Sequence, residues 1–234
     1  MIVTRLFLPI LLLVQFREMI CLTLMPYRTV RKAASREFEI RKSRFIAWAS
    51  SVETLPEIEQ AIQARRKENW KANHHCYAYI LGKKQEKQKA SDDGEPSGTA
   101  GVPILDVLKR RQICNVLIVV TRYFGGIKLG AGGLIRAYAH GATLALQVAG
   151  VVDQIPIDMW KLHVSYHQSG MLENKLRESP YQIRDIGYTD VVNYTIAVRQ
   201  QQSSLFRQWI ADLTGGQSEL TKTGERYVAV PAEK

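Results

Sequence analysis

The chain has 234 residues, with 32 lysines and arginines against 22 acidic residues, 46% hydrophobic and 23% charged. Apolar and charged content of that order excludes a globally disordered chain, and the length suits one large domain or two small ones. The net charge of +10 points to a polyanionic partner, nucleic acid first, and carries no information about fold.

The excess is not spread evenly. Residues 1–156 hold 23 basic and 13 acidic side chains, and residues 157–234 hold 9 of each. Such asymmetry predicts two domains with different tasks. The boundary is set at Ile155-Pro156, giving domains over 25–154 and 157–234.

Residues 1–24 stand apart. Leu6 to Val14 reads LFLPILLLV behind Arg5. The run is partly signal-like, yet no small-x-small cleavage site follows closely and Pro9 interrupts it. It is also well short of the roughly 20 residues that span a bilayer. A signal or anchor, a structural helix, and sequence upstream of a true start at Met25 are the three readings, and the start at Met25 is preferred. Three cysteines, Cys21, Cys76 and Cys114, with no CxxC spacing, fit a reducing cytoplasm rather than a disulfide framework.

In chain order, Phe38–Ile40 and Arg44–Ser50 read as strands around a basic bend at Arg41, Lys42 and Ser43. Thr54–Asn69 reads as a helix, with Thr54 as cap and Glu57 three residues on. His75–Leu81 alternates as a strand. In His74-His75-Cys76, neighbours on a strand face opposite ways and cannot share one ion. Residues 82–103 are polar and punctuated by Gly and Pro, and read as loop. Val102–Arg111 reads as a short helix with Pro103 in its first turn. Val116–Tyr123 (VLIVVTRY) is a buried strand, Gly125–Gly133 a Gly-rich turn, and Leu134–Ala149 a helix stopped by Gly150. Beyond Pro156 the expected order is βαββαβ: strands Trp160–Tyr166, Tyr181–Ile186, Val191–Arg199 and Ser218–Val230, with helices Gln168–Glu178 and Ser203–Leu213. This is the split βαβ arrangement, and the class is α+β.

Two loops carry chemistry. In SDDGEPSGTAG (residues 91–101), Asp92, Asp93 and Glu95 could hold a hard cation or act as acid and base. They equally suit a tight turn in which Asp and Ser satisfy local N–H groups. In RYFGGIKLGAGGLIR (residues 122–136), a buried strand leads through glycines into a helix N-terminus. Free N–H groups and the dipole favour an anion there, with Arg122, Lys128 and Arg136 nearby. The candidate anion or RNA site is therefore Arg122, Lys128, Gly130, Ala131, Gly132, Gly133 and Arg136, with Asp92, Asp93 and Glu95 in the adjoining loop. It is neither a P-loop nor a Rossmann fingerprint. No GxSxG, no HExxH and no cysteine with an evident base is present, so no catalytic set, metal or cofactor is assigned. His140 reads as a packed or solvated side chain.

Three contiguous stretches, RKSRFIA (residues 41–47), SDDGEPSGTAG and NVLIVVTRYFGGIKLG (residues 115–130), resemble the IMPACT family, most closely its bacterial YigZ-type members. The likeness covers roughly Tyr27 to Gly150. It implies an N-terminal β-α domain similar to domain IV of elongation factor G and a ferredoxin-like C-terminal domain. It also implies a cytoplasmic, translation-associated role, with RNA, the ribosome or a translation-related protein as partner. In eukaryotic relatives the domain competes for the activator of an initiation-factor kinase. The alternative is a phosphate- or nucleotide-binding enzyme that uses the Gly-rich turn.

Overall fold

A computed structural model describes residues 24–232. The apolar run Leu6 to Val14 and Cys21 lie outside them. Strand β1 (Tyr27–Val30) is followed by β2 (Ala34–Ile40), β3 (Ser43–Ser51), helix α1 (Leu55–Glu68), β4 (His74–Leu81), β5 (Lys87–Ser91), α2 (Gly101–Arg110), β6 (Val116–Tyr123) and α3 (Ala131–Ala149). The remainder is β7 (Val151–Val164), α4 (Tyr166–Glu178), β8 (Gln182–Tyr188), β9 (Val192–Arg199), α5 (Ser203–Thr214) and β10 (Glu219–Pro231).

The first sheet has the order β2-β3-β6-β4-β5, antiparallel throughout. Alternation along the central strand β6 fixes which face meets what. Val116, Ile118 and Val120 enter a core with α2 and α3, including Ile104, Leu108, Tyr138 and Leu146. Leu117 and Val119 enter a smaller core with Ile58 and Ile62 of α1. A strand covered on both faces must be apolar along its length, which is why β6 is the most legible element of the sequence. Helix α1 is capped by Thr54, whose Oγ1 accepts from Glu57 N at 3.3 Å, while Glu57 Oε2 accepts from Glu53 N at 2.9 Å.

The second sheet is built from β7, α4, β8, β9, α5 and β10, the expected βαββαβ order. Its strands run β10-β7-β9-β8, with β9 inserted between β7 and β8. Trp160, Leu162 and Val164 pack with Leu172, Leu176, Phe206 and Ile210 under the two helices. The opposite sheet face carries no helix among the described residues.

Several expectations shift. Residues 82–103 are not loop throughout: Lys87–Ser91 forms edge strand β5 on β4. Helix α3 starts at Ala131, so Ala131-Gly132-Gly133 form its first turn and the Gly-rich turn ends at Gly130. Strand β7 begins at Val151 and runs unbroken through Ile155-Pro156, and β1 joins it there, pairing Tyr27–Val30 with Val151–Gln154. Arg28 binds Asp153 with two nitrogens at 2.7 and 2.9 Å. No helix among the described residues is long and apolar enough to cross a membrane.

The β2–β3 hairpin turns on only two residues, Arg41 and Lys42, between the paired Ile40 and Ser43. Both have positive φ, 47° and 63°, in a turn that favours Asn-Gly. Each non-glycine residue there costs roughly 1 kcal/mol. Replacing Arg41 and Lys42 by Asn-Gly is expected to raise the unfolding free energy by about 1–2 kcal/mol, read as a higher Tm.

Candidate nucleic-acid interface

The turns β2–β3, α1–β4 and β6–α3 meet at one end of the first sheet. Gly125 fixes their approach: a Cβ there would lie 1.9 Å from the Lys42 carbonyl oxygen. Ser43 Oγ accepts from Gly125 N at 3.3 Å and from Arg122 Nη2 at 3.2 Å. Asn73 Oδ1 accepts from Phe124 N at 2.8 Å, and the Tyr123 hydroxyl donates to Asn69 Oδ1 at 3.1 Å. These bonds tie the connection carrying Trp70 and Lys71 to the end of β6.

The structure divides the expected site residues. Arg122 is buried, 4% exposed, and its Nη1 donates to Glu95 Oε1 at 2.7 Å. Its guanidinium lies over Phe45 and Phe124. The charge read as a phosphate donor is thus committed inside the protein. Lys128, Gly130, Ala131, Gly132 and Arg136 are exposed and Gly133 partly so. Gly130, with φ 72°, precedes a helix whose first turn receives no side-chain cap. Arg41, Gly133, Arg136 and His140 line one cleft of about 290 Å³, floored by Ile40, Leu129 and Ala137. His140 packs edge-on against Phe38. Arg41, Lys42, Lys128 and Arg136 make no ion pair among the described residues, and Phe124, Ile127, Ile135 and Trp70 are exposed apolar neighbours in the sequence or turns around them.

The three loop carboxylates are equally committed. Asp92 accepts from the backbone N–H groups of Gly98, Ala100 and Gly101 at 2.8–2.9 Å, and so caps the entry to α2. Burial opposes its ionisation, and those three N–H groups outweigh it, holding its carboxyl below the usual carboxylate range. Asp93 accepts from Arg66 and from His75 N. Glu95 also accepts from the Tyr138 hydroxyl at 2.7 Å. The Cys76 thiol donates to the Asp92 carbonyl and lies 3.3 Å from the Tyr138 oxygen. Burial pushes that thiol up to about 12, which leaves it protonated and unreactive, and it pushes the Tyr138 phenol far up as well. His75 is held below its ordinary value, mainly by burial. Among the described residues no group of three or more His, Cys, Asp and Glu side chains converges on a metal site.

Sequence reasoning placed Lys128, Arg136 and the first turn of α3 together; of these, Gly133 and Arg136 line the cleft and Lys128 does not. It did not place Arg41 in the site, although the basic bend was visible. The missing signal was the positive-φ hairpin that brings Arg41 beside Arg136. Trp70 and Phe124 had no sequence signal beyond being aromatic in turns.

Two α+β domains, the first a five-stranded sheet with helices on both faces and the second a split βαβ, define the class. Residues 41–146 match the Impact N-terminal domain, and residues 162–217 match a domain of unknown function, DUF1949. The IMPACT family member YvyE of Bacillus subtilis is 45% identical over 85% of this chain and 91% of its own length. YigZ of Escherichia coli is 34% identical over 78% and 90%. A crystal structure of a hypothetical protein, 31% identical, covers 86% of this chain and 99% of its own, with a TM-score of 0.55. The chain belongs to the IMPACT family. With mouse Protein IMPACT the likeness is 36% over 38% of this chain.

Glu95→Ala would leave the Arg122 charge buried without its partner, at an expected cost of roughly 3–5 kcal/mol in urea unfolding. Because the folded-state carboxyl of Asp92 is depressed, its contribution is present above the unfolded value of about 4 and is lost as pH falls through the lower folded value. Asp92→Asn should therefore lower stability at neutral pH and flatten the acid decline in a pH series of melting curves.

Proposed function

We propose that the protein is a translation-associated RNA-binding protein that uses the basic end of its first sheet. The observation that carries this reading is the cleft that puts Arg41 and Arg136 beside the uncapped first turn of α3. Backbone N–H groups at a helix start favour phosphate, and two guanidinium groups present the forked donors that phosphate accepts. Lys42 and Lys128 extend the positive surface, and Phe124 and Trp70 offer exposed rings on which unpaired bases can stack. The buried Arg122–Glu95 pair and the partly exposed Arg66–Asp93 pair leave these free cations as the ones that define the surface charge at this end.

The reading also draws on the family, whose resemblance implies work in translation, with the ribosome as the setting in which such RNA is met. It places the protein in the cytoplasm, in keeping with Cys76 and Cys114 as buried free thiols. The enzyme alternative finds less support, because the carboxylates it would use are already bound within the fold.

Binding to a single-stranded RNA should weaken with salt by roughly 0.7 in log K per log unit for each phosphate contacted. Arg41→Ala and Arg136→Ala should each lower affinity and reduce that slope by about one phosphate, with Tm unchanged. The Asn-Gly hairpin variant should be more stable and bind less tightly. Binding that is absent, or flat across salt, contradicts the proposal. Partners recovered equally after nuclease treatment would instead favour a translation-related protein.

A further inference from the structure

The second domain is neutral in total, 9 basic and 9 acidic residues, and three of its arginines lie close together. Four of its acidic groups are taken up in ion pairs: Asp158 and Glu225 with Lys222, Glu173 with Arg177, and Glu178 with Lys175. Arg184 and Arg199 are exposed and make no ion pair among the described residues. Arg226 donates only to the Met159 sulfur, at 2.9 Å.

These arginines belong to the sheet face without helices. Ile157 of β7 pairs with Arg199 on one side and with Arg226 on the other, so one register row reads Arg199, Ile157, Arg226. Beside that row a groove of about 340 Å³ has an aliphatic floor of Ile155, Ile157, Ala197, Val228 and Val230, with Arg184 and Arg199 at its rim. Strand β9 ends opposite Ile157 and β1 begins opposite Gln154. The β7 main chain at Ile155 therefore lacks a strand partner on that side.

We propose that this groove docks an acidic, aliphatic peptide segment of a partner protein. Its carboxylates meet Arg184, Arg199 and Arg226, and its aliphatic side chains fill the floor. Charge complementarity selects the acidic partner. The floor selects peptide over nucleic acid: unpaired bases bind by stacking on rings, and none of the groove's lining residues is aromatic. The inference concerns a different domain from the RNA reading and does not rest on it.

The test uses the full chain and three labelled probes: a peptide of glutamate, aspartate and leucine, the same peptide with lysine for each acid, and oligouridylate. The acidic peptide is expected to bind saturably and to shift the methyl resonances of Ile155, Ile157, Val228 and Val230. Affinity should fall roughly tenfold in Arg199→Glu/Arg226→Glu, as expected for losing two attractive contacts and gaining repulsion. A smaller fall is expected in Arg199→Gln/Arg226→Gln, whose methyl spectrum reports the intact fold. Arg41→Ala/Arg136→Ala should leave peptide binding unchanged. No saturable peptide binding, equal binding of the lysine peptide, affinity unchanged by charge reversal, or oligouridylate shifting the same methyl groups would each overturn the proposal.

Discussion

A single buried ion pair, Arg122 with Glu95, sets the arrangement at one end of the first sheet. Glu95 arrives on the loop between β5 and α2, and Arg122 stands near the end of the central strand. Tyr138 reaches the same carboxylate from α3, and Ser43 reaches the guanidinium from the start of β3. Loop, hairpin, central strand and long helix are thus joined through one pair. Taking both charges out of water is costly, and such a pair adds little net stability over an apolar substitute of the same shape. Its consequence is geometric: with Glu95 held, residues 91–101 have one conformation, and Asp92 can cap α2.

The pair also decides which charges face outward. At this sheet end Arg122 is consumed by Glu95, and Arg66 by Asp93. Their neighbours Arg41, Lys42, Lys128 and Arg136 keep no internal partner among the described residues. The hairpin that carries Arg41 and Lys42 accepts unfavourable backbone angles, and Gly125 accepts the close approach of that hairpin. Local strain and an uncapped helix turn on one surface are features that folding alone does not require. In the RNA reading proposed here they serve the ligand, since strained backbone persists where the surroundings hold it in place. In the second domain, under a net charge of zero, Arg184, Arg199 and Arg226 remain without an ion pair among the described residues and border one groove on the open sheet face.

Much of this was legible in the sequence, for physical reasons. Strand β6 is covered on both faces, so its apolar run is unmistakable. Helix α1 carries its cap at Thr54, and the second domain follows periodicities that match its six elements. What was hidden involved distant partners or unusual composition. Strand β5 (KQKAS) has no apolar alternation because it is an edge, where lysines guard against unwanted pairing. Strand β1 pairs with residues more than a hundred positions away. The first turn of α3, Ala-Gly-Gly, has weak helix propensity and reads as turn. Arg122 was misplaced because arginine is ordinarily solvated, and nothing local in the sequence marks Glu95, 27 residues earlier, as its partner. The loop 91–101 could be read either as ligand site or as ordered turn, and the structure gives the second.

In the RNA reading proposed here, Arg122 shapes the surface without touching the ligand. The most direct measurement is the salt-dependent RNA affinity of Arg122→Met combined with Glu95→Leu, which replaces the charged pair by apolar groups of similar size. The account predicts a cooperatively folded protein with the affinity and salt slope of the unaltered chain, because Arg41, Lys42, Lys128 and Arg136 remain in place. A folded double variant that has lost its RNA affinity, or whose slope has dropped by one phosphate, would contradict it.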